Sequence, residues 1–527
     1  MTAAATPRDT SLLRALERRA TWVAALVALV AALMTMTADP IGVFNDDGIY
    51  LLTAKALAMG QGYVYPQLPG LPPAIHYPPV WPLILAAVWK VAPAFPANIA
   101  WLKLINPLVL AGAAAAAVVF GRRALGLPWW VALGGVVAAT LTVPVLLLTN
   151  LLLSEPLFLA LLLPTLLITE RLVKEGGMRL ALGAALLVAF LVLVRTLGGV
   201  VLVAGVLLLA RERRWRELAL FAGVTVLLLL PWQLFVWRAS AGFPDELRGS
   251  YGPYLEWVVD GYRSGGWPFL RQVVAKNVSQ TWTMLGVFFG LLVPGPLRHV
   301  AAGLATLSFG AGLVAIARRR HAPVTALALA GYLVIVLVWP FWVDRFLWVM
   351  WPLVILIALA AAHAGVNAFR AAGRRGAAQL VLALTGVLAL GHETYNARGL
   401  ANGWERSASR DMTGPGVRIV WQVNADRRLD GKVIATELAP MVALYTGQQV
   451  VPVDILTTRE HLVDKTIPEH MDELLRLDRR FRPAAYLVLS GGPFYTALLN
   501  TPLDSGRTLR DVSEPGLSVR TLLVETP

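Results

Sequence analysis

Five charged side chains in otherwise apolar surroundings are the residues of this sequence best placed to do chemistry. Asn45-Asp46-Asp47-Gly48 puts two carboxylates side by side. Adjacent carboxylates repel, and they are tolerated when a cation partners them or when one is raised in pKa. A carboxylate so placed can act as a general base. The same tetrapeptide also suits a solvated Asx turn. Glu155, in Ser154-Glu155-Pro156, is the only charge between Arg123 and Glu170. Ser-Glu-Pro reads as a helix start, with Ser as cap and the acid favoured by the dipole. Capping explains Ser154, but it does not require an acid inside an apolar run of membrane depth, where ionisable groups are expensive. Arg195 is flanked by apolar residues, and Arg345 stands in Val343-Asp344-Arg345-Phe346. A guanidinium in such a place suits a phosphate, which it grips through two N–H groups. Arg345 has Asp344 beside it as an alternative partner. Arg195 has no acid nearby, so its partner is distant in sequence or is a ligand.

Two aromatic clusters accompany these charges. His76-Tyr77-Pro78-Pro79 and Tyr251-Gly252-Pro253-Tyr254 could orient an acceptor or stack on a sugar. Interfacial aromatics are also ordinary membrane anchors. Asp47 and His76 are candidate ligands for a divalent cation, and a lone His is also commonly structural. Asn277-Val278-Ser279 fits a glycosylation sequon.

The elements that must hold these groups are apolar. The chain has 527 residues, of which 57% are hydrophobic and 15% charged. That balance belongs to a membrane protein. It has no cysteine, which removes disulfides, thiolate zinc sites and cysteine catalysis. The net charge of +14 raises the question of nucleic acid, but residues 395–527 hold 16 Lys/Arg and 16 Asp/Glu. The soluble-looking part is therefore neutral, and a nucleic-acid partner is not expected.

Spans of about 20 apolar residues are expected at 21–38, 98–120, 129–150, 155–170, 179–194, 197–210, 217–237, 299–317, 322–340, 346–363 and 377–393, about eleven in all. With the N-terminus inside, the first segment and the inside loops carry 19 Lys/Arg against six acids, as the positive-inside rule asks. These include Arg8, Arg14, Arg18, Arg19, Arg318, Arg319 and Arg320. The solution requires Val80–Val91 to lie at the interface and not to span. It also makes the segments on either side of Arg195 a pair of short helices.

The expected organisation is an all-α polytopic membrane region over residues 1–394, with outer loops at 39–97 and 238–281. A small α/β domain outside the membrane follows over 395–527. Its strands are expected at Lys432–Thr436, Gln449–Val453, Ala484–Ser490 and Ser518–Glu525, with helices at Ala439–Thr446 and Glu469–Phe481 between them. No phosphate-binding loop, GxSxG, HExxH or dinucleotide fingerprint is present.

An acidic pair after the first helix, then Tyr77-Pro78-Pro79, Ser154-Glu155-Pro156-Leu157-Phe158, Arg195-Thr196-Leu197-Gly198 and Asp344-Arg345-Phe346 follow in order on one side. Over about residues 15–360 this resembles the GT-C fold glycosyltransferases, in particular bacterial relatives of protein O-mannosyltransferases and of the lipid A aminoarabinose transferase. The tail segment with Tyr445-Thr446-Gly447 is similar to the outer C-terminal domains of some bacterial members. The resemblance implies an inner-membrane enzyme that moves a monosaccharide, with inversion, from a polyprenyl-phosphate donor to a hydroxyl of a lipid, glycan or protein. It implies that Asp46 or Asp47 is the base or orients substrate, that Glu155 is the second acidic position, and that Arg195 and Arg345 stand near the lipid phosphate. Asp-Asp departs from the Asp-Glu of protein mannosyltransferases. His76 falls near the place where some relatives carry an acid involved with metal. The alternative from another class is a lipid-linked saccharide flippase. A transporter would favour internal repeats and polar groups at the midplane, and this sequence has neither.

Overall fold

The computed structural model describes residues 7–318, 322–513 and 518–525. Arg319 and Arg320 of the expected inside charges lie outside the described residues, as do the side chains of Arg8, Arg14 and Arg18. A helix occupies each of the apolar segments anticipated from sequence. Among the described residues six helices are long and apolar enough to cross a membrane: Ile99–Arg123, Glu155–Glu175, Trp215–Ser240, Gly295–Arg318, Trp351–Ala371 and Arg375–Ala401. Met178–Val194, Pro323–Val338 and the apolar part of the first helix, Arg19–Thr35, are shorter.

The segment expected as one span at 129–150 is bent by 60° between Trp129–Thr140 and Val143–Asn150. The break has a local cause. The Thr142 hydroxyl accepts the Val145 N–H and starts a new helix with Pro144 in its first turn, a place where proline is tolerated. Val80–Val91 has only 12 residues, about 18 Å of helix at 1.5 Å per residue. That is short of the ~30 Å hydrocarbon layer, and the helix packs on its neighbour Asp46–Ala58.

The long loops contain more helix than their composition announced. Asp46–Ala58 begins at the acidic pair itself, where carboxylates complement the helix dipole. The stretch expected as a second outer loop runs largely as the helix Tyr254–Gly290, kinked where Gly266 takes φ 60°.

The tail holds a five-stranded sheet. Its strands are β1 (Val433–Thr436), β2 (Gln449–Pro452), β3 (Ala485–Leu489), β4 (Thr508–Asp511) and β5 (Val519–Glu525), in the order β2-β1-β3-β5-β4. β1 is parallel to β2 and β3, and β5 is antiparallel to β3 and β4. The parallel pairs need crossovers, which Ala439–Thr446 and Ile467–Phe481 supply. The strand that sequence did not reveal, β4, is a short, largely exposed edge bearing Arg510 and Asp511, the usual way an edge is kept from pairing further.

The tail packs against the first long loop. The Val450 N–H donates to the Gln67 carbonyl at 2.8 Å, and the Tyr445 hydroxyl accepts the Ile41 N–H at 3.1 Å. A Cβ on Gly48 would come within 2.6 Å of the Pro440 side chain, and one on Gly42 within 2.8 Å of the Met441 backbone. Glycine is therefore required where the tail helix meets the acidic loop.

Candidate active site

Four of the five charges singled out above form one chain of ion pairs. Asp46 Oδ2 meets Arg345 Nη1 at 2.5 Å. Arg345 Nε donates to Glu155 Oε1. The same Glu155 oxygen pairs with Arg195 Nη1 at 2.8 Å. The members come from four separate elements: the start of Asp46–Ala58, the start of Glu155–Glu175, the residue after Met178–Val194, and the short helix Asp344–Val349. Arg345 pairs with these distant acids instead of its neighbour Asp344. Arg195, lacking a local acid, finds Glu155. Charges in an apolar bundle are tolerated when matched in this way.

Ser154 does not cap its helix, contrary to the sequence expectation. Its backbone is already helical at φ −80°, ψ −7°, and it makes no side-chain cap bond. Its hydroxyl instead lies 3.2 Å from both the Tyr50 hydroxyl and Arg195 Nη1.

The two aspartates have different surroundings. Asp46 Oδ1 accepts the Tyr77 hydroxyl at 2.6 Å. Burial works against its ionisation, but Arg345 and then Tyr77 outweigh it, and the carboxyl stays below its ordinary value. Asp47 is turned into its own loop, where it accepts the N–H groups of Gly42 (2.9 Å), Phe44 (3.1 Å) and Gly48 (2.9 Å). Burial there outweighs those three bonds and the nearby Asp46 charge adds to it, so Asp47 is shifted upward.

A cavity of about 180 Å³ opens beside this chain of charges. Asp46, Arg195, Tyr50, Tyr77 and Tyr254 contribute its polar groups, and Val336, Trp339 and Phe346 are among its apolar walls. The Asp46 side chain is 18% exposed and that of Glu155 is 1% exposed, so Asp46 is the carboxylate that can meet a ligand directly. Glu155 Oε2 nonetheless has no hydrogen-bond partner among the described residues. The arginines are braced by rings, Arg345 over Phe44 at 5.3 Å and Arg195 over Phe346 at 5.7 Å.

His76 lies against Tyr254, ring centroids 3.9 Å apart with the planes tilted by 43°, and sits edge-on to Tyr77 at 4.5 Å. Its Nδ1 lies 2.5 Å from the Gly252 carbonyl. A carbonyl only accepts, so Nδ1 carries the proton. Burial lowers the His76 pKa to about 4, against the opposing pull of Gly252 and Asp46. Asp47 and His76 thus face different partners. The one cluster of metal-capable side chains among the described residues is Asp454, His470 and Glu473 in the tail. Lys465 already occupies that cluster, with its ammonium 2.7 Å from Asp454 and 2.9 Å from Glu473.

Tyr251 is buried against Tyr65, ring centroids 5.0 Å apart, and does not line the cavity, whereas Tyr254 does. Tyr50, Ser154 and Trp339 were not expected from sequence. For Tyr50 a signal existed. It lies four residues after Asp46, which puts both on one face once that segment is helical. Asn277 of the sequon is fully buried and is not an acceptor for a glycan.

No family model matches the chain, and no curated protein matches it by sequence. Solved structures do match. ArnT from Cupriavidus metallidurans, bound to undecaprenyl phosphate, superposes with a TM-score of 0.52 at 15% identity, over 99% of this chain and 98% of that one. The Archaeoglobus fulgidus oligosaccharyltransferase in its apo form gives a TM-score of 0.50 at 11% identity, over 92% of this chain and 71% of that one. Both are GT-C fold glycosyltransferases. The chain has the GT-C fold, as its motif order implied.

Proposed function

We propose that this protein is a membrane glycosyltransferase that moves a monosaccharide from a polyprenyl-phosphate donor to a hydroxyl acceptor at the outer face of the cytoplasmic membrane. The observation that carries the reading is the chain Asp46, Arg345, Glu155, Arg195 beside an aromatic-walled cavity. The bound undecaprenyl phosphate of the Cupriavidus structure supports the class of donor. In this reading residues 1–394 are the catalytic membrane region and 395–527 an appended α/β domain on the same outer side.

Asp46 is the base. The acceptor oxygen attacks the anomeric carbon, its proton passes to Asp46, and the bond from that carbon to the phosphate oxygen breaks with its electron pair on the phosphate. A single displacement of this kind inverts the configuration. The charges follow the chemistry. Two carboxylates and two guanidiniums sum to zero while the donor phosphodiester carries one negative charge. After transfer the released phosphate gains a second negative charge, and protonation of Asp46 has made the cluster positive by one. Stabilisation therefore rises where charge develops. Protonation also loosens the hold of Asp46 on Arg345, which frees that guanidinium for the leaving phosphate. Glu155, buried behind the cavity, keeps Arg195 and Arg345 together. Asp47 holds the shape of the acidic loop. His76 and Tyr77 shape the acceptor side, and Tyr254 offers a face for stacking.

The test offers the purified full-length protein, in nanodiscs, a panel of polyprenyl-phosphate monosaccharides. The expected result is acceptor-dependent release of polyprenyl phosphate from at least one of them. Movement of intact donor across a sealed bilayer with no release would favour the flippase.

A further inference from the structure

Asn277 holds the end of the helix that walls the cavity. Its Nδ2 shares two hydrogens among the carbonyls of Val336 (3.2 Å), Leu337 (3.0 Å) and Trp339 (2.8 Å). These lie at the C-terminal end of Pro323–Val338, where the Val336 and Trp339 carbonyls also accept the N–H groups of Trp339 and Phe341. Three carbonyls fix the orientation of the amide, with nitrogen toward them and oxygen away. That oxygen accepts His461 Nε2 at 2.7 Å.

His461 belongs to the tail and is buried. Burial, with Lys276 adding to it, lowers its pKa to about 4, so it donates as a neutral ring, and its Nδ1 has no hydrogen-bond partner among the described residues. Lys276 Nζ also donates to the His461 carbonyl. The tail is seated closely on the helix that carries Asn277. The Leu456 carbonyl accepts Trp257 Nε1 at 3.1 Å, and a Cβ on Gly261 would come within 2.2 Å of the Thr458 hydroxyl. The helix end held by Asn277 lends Ile335, Val336 and Trp339 to the cavity and leads into the segment that carries Arg345.

We propose that Asn277 and His461 are positioning residues for sugar transfer, through which the tail sets the cavity wall and the approach of Arg345 to the donor phosphate. This role rests on the glycosyl-transfer reading above. It makes the tail part of the catalytic apparatus, with the Asn277 amide as its link to the cavity wall.

The test compares full-length wild type with His461→Ala, His461→Gln and Asn277→Ala in nanodiscs. Hydrogen exchange is followed in peptides spanning 333–345, and steady-state kinetics are measured with the polyprenyl-phosphate sugar that wild type consumes. His461→Ala and Asn277→Ala should exchange faster there and raise the donor KM by about tenfold, the weight of one hydrogen bond, with acceptor KM unchanged. His461→Gln retains an N–H donor and should restore both readouts. If Asn277→Ala does not fold, the two His461 variants decide the matter. Unaltered exchange or unaltered kinetics in His461→Ala overturns the role, as does a loss that Gln fails to restore. An active wild type with unaltered variants overturns this role alone. A wild type silent with every donor overturns the transfer reading and this role with it.

Discussion

Asp46 and Arg345 lie 299 residues apart in the chain and meet at 2.5 Å. Arg345 reaches on to Glu155, which also binds Arg195. One guanidinium thus joins the carboxylate that faces the cavity to the carboxylate behind it. In the proposed reaction the base and the phosphate site therefore share a part, and a change in either should be felt by the other.

If Asp46 is the base, as proposed, this pairing should set the acid limit of activity. Burial disfavours the ionised form of Asp46, and Arg345 and Tyr77 more than compensate, so its pKa is lowered. A base must be ionised, so activity should persist as pH falls until it passes that lowered value. Arg345→Gln removes the main compensating charge and should move the acid limb of kcat/KM to higher pH. The pH–rate profiles of the two proteins check this, and a limb that stays in place would separate Asp46 from the role of base.

His76 should add no limb of its own. With its pKa lowered by burial to about 4, it is neutral across the range in which an ordinary histidine titrates. His76→Gln should therefore leave the shape of the profile between about pH 5 and 8 unchanged, whatever it does to acceptor KM. A wild-type inflection near neutrality that this variant abolishes would contradict the assignment.

Arg195 should act through the donor phosphate. Arg195→Ala is expected to raise the donor KM by about 10–100-fold, the loss of a charge-assisted hydrogen bond of ~1.5–3 kcal/mol. Arg195→Lys keeps the charge without the planar fork and should fall between the two. Equal, negligible effects from both variants would make Arg195 a partner of Glu155 and nothing more.

Asp47 should matter for the loop. Asp47→Ala leaves the N–H groups of Gly42, Phe44 and Gly48 without their acceptor, at ~1–3 kcal/mol for each buried group left unpaired. The melting temperature should fall by several degrees. Asp47→Asn, which keeps one carbonyl oxygen, should lose less. Thermal unfolding in detergent measures both, and an alanine variant as stable as wild type would contradict the geometry.

The sequence exposed the charged members of the site because a charge inside an apolar run has few cheap explanations. Glu155 and Arg195 were legible for that reason, although their partnership across 40 residues was not. Tyr50, Ser154 and Trp339 were hidden because aromatics and hydroxyls have ordinary uses at helix ends and membrane interfaces. The two aspartates could not be told apart in sequence, since their roles depend on which backbone N–H groups the loop presents. The positions of the apolar helices were readable from hydropathy, and the tail's core strands from runs such as Ala485–Leu489. The bend at Thr142 turned on one hydroxyl, and the helix Tyr254–Gly290 was obscured by Gly265-Gly266-Trp267-Pro268, which reads as a break. Edge strand β4 carried too little apolar pattern to be seen.

The most direct measurement compares wild type and Asp46→Asn for release of polyprenyl phosphate from the accepted donor, with donor binding followed in the same samples. The asparagine is nearly isosteric, so folding and donor affinity should be retained. Transfer should fall by about 10²–10⁴-fold, the usual contribution of a positioned base. Near-normal turnover by a folded, donor-binding Asp46→Asn protein would contradict the central claim.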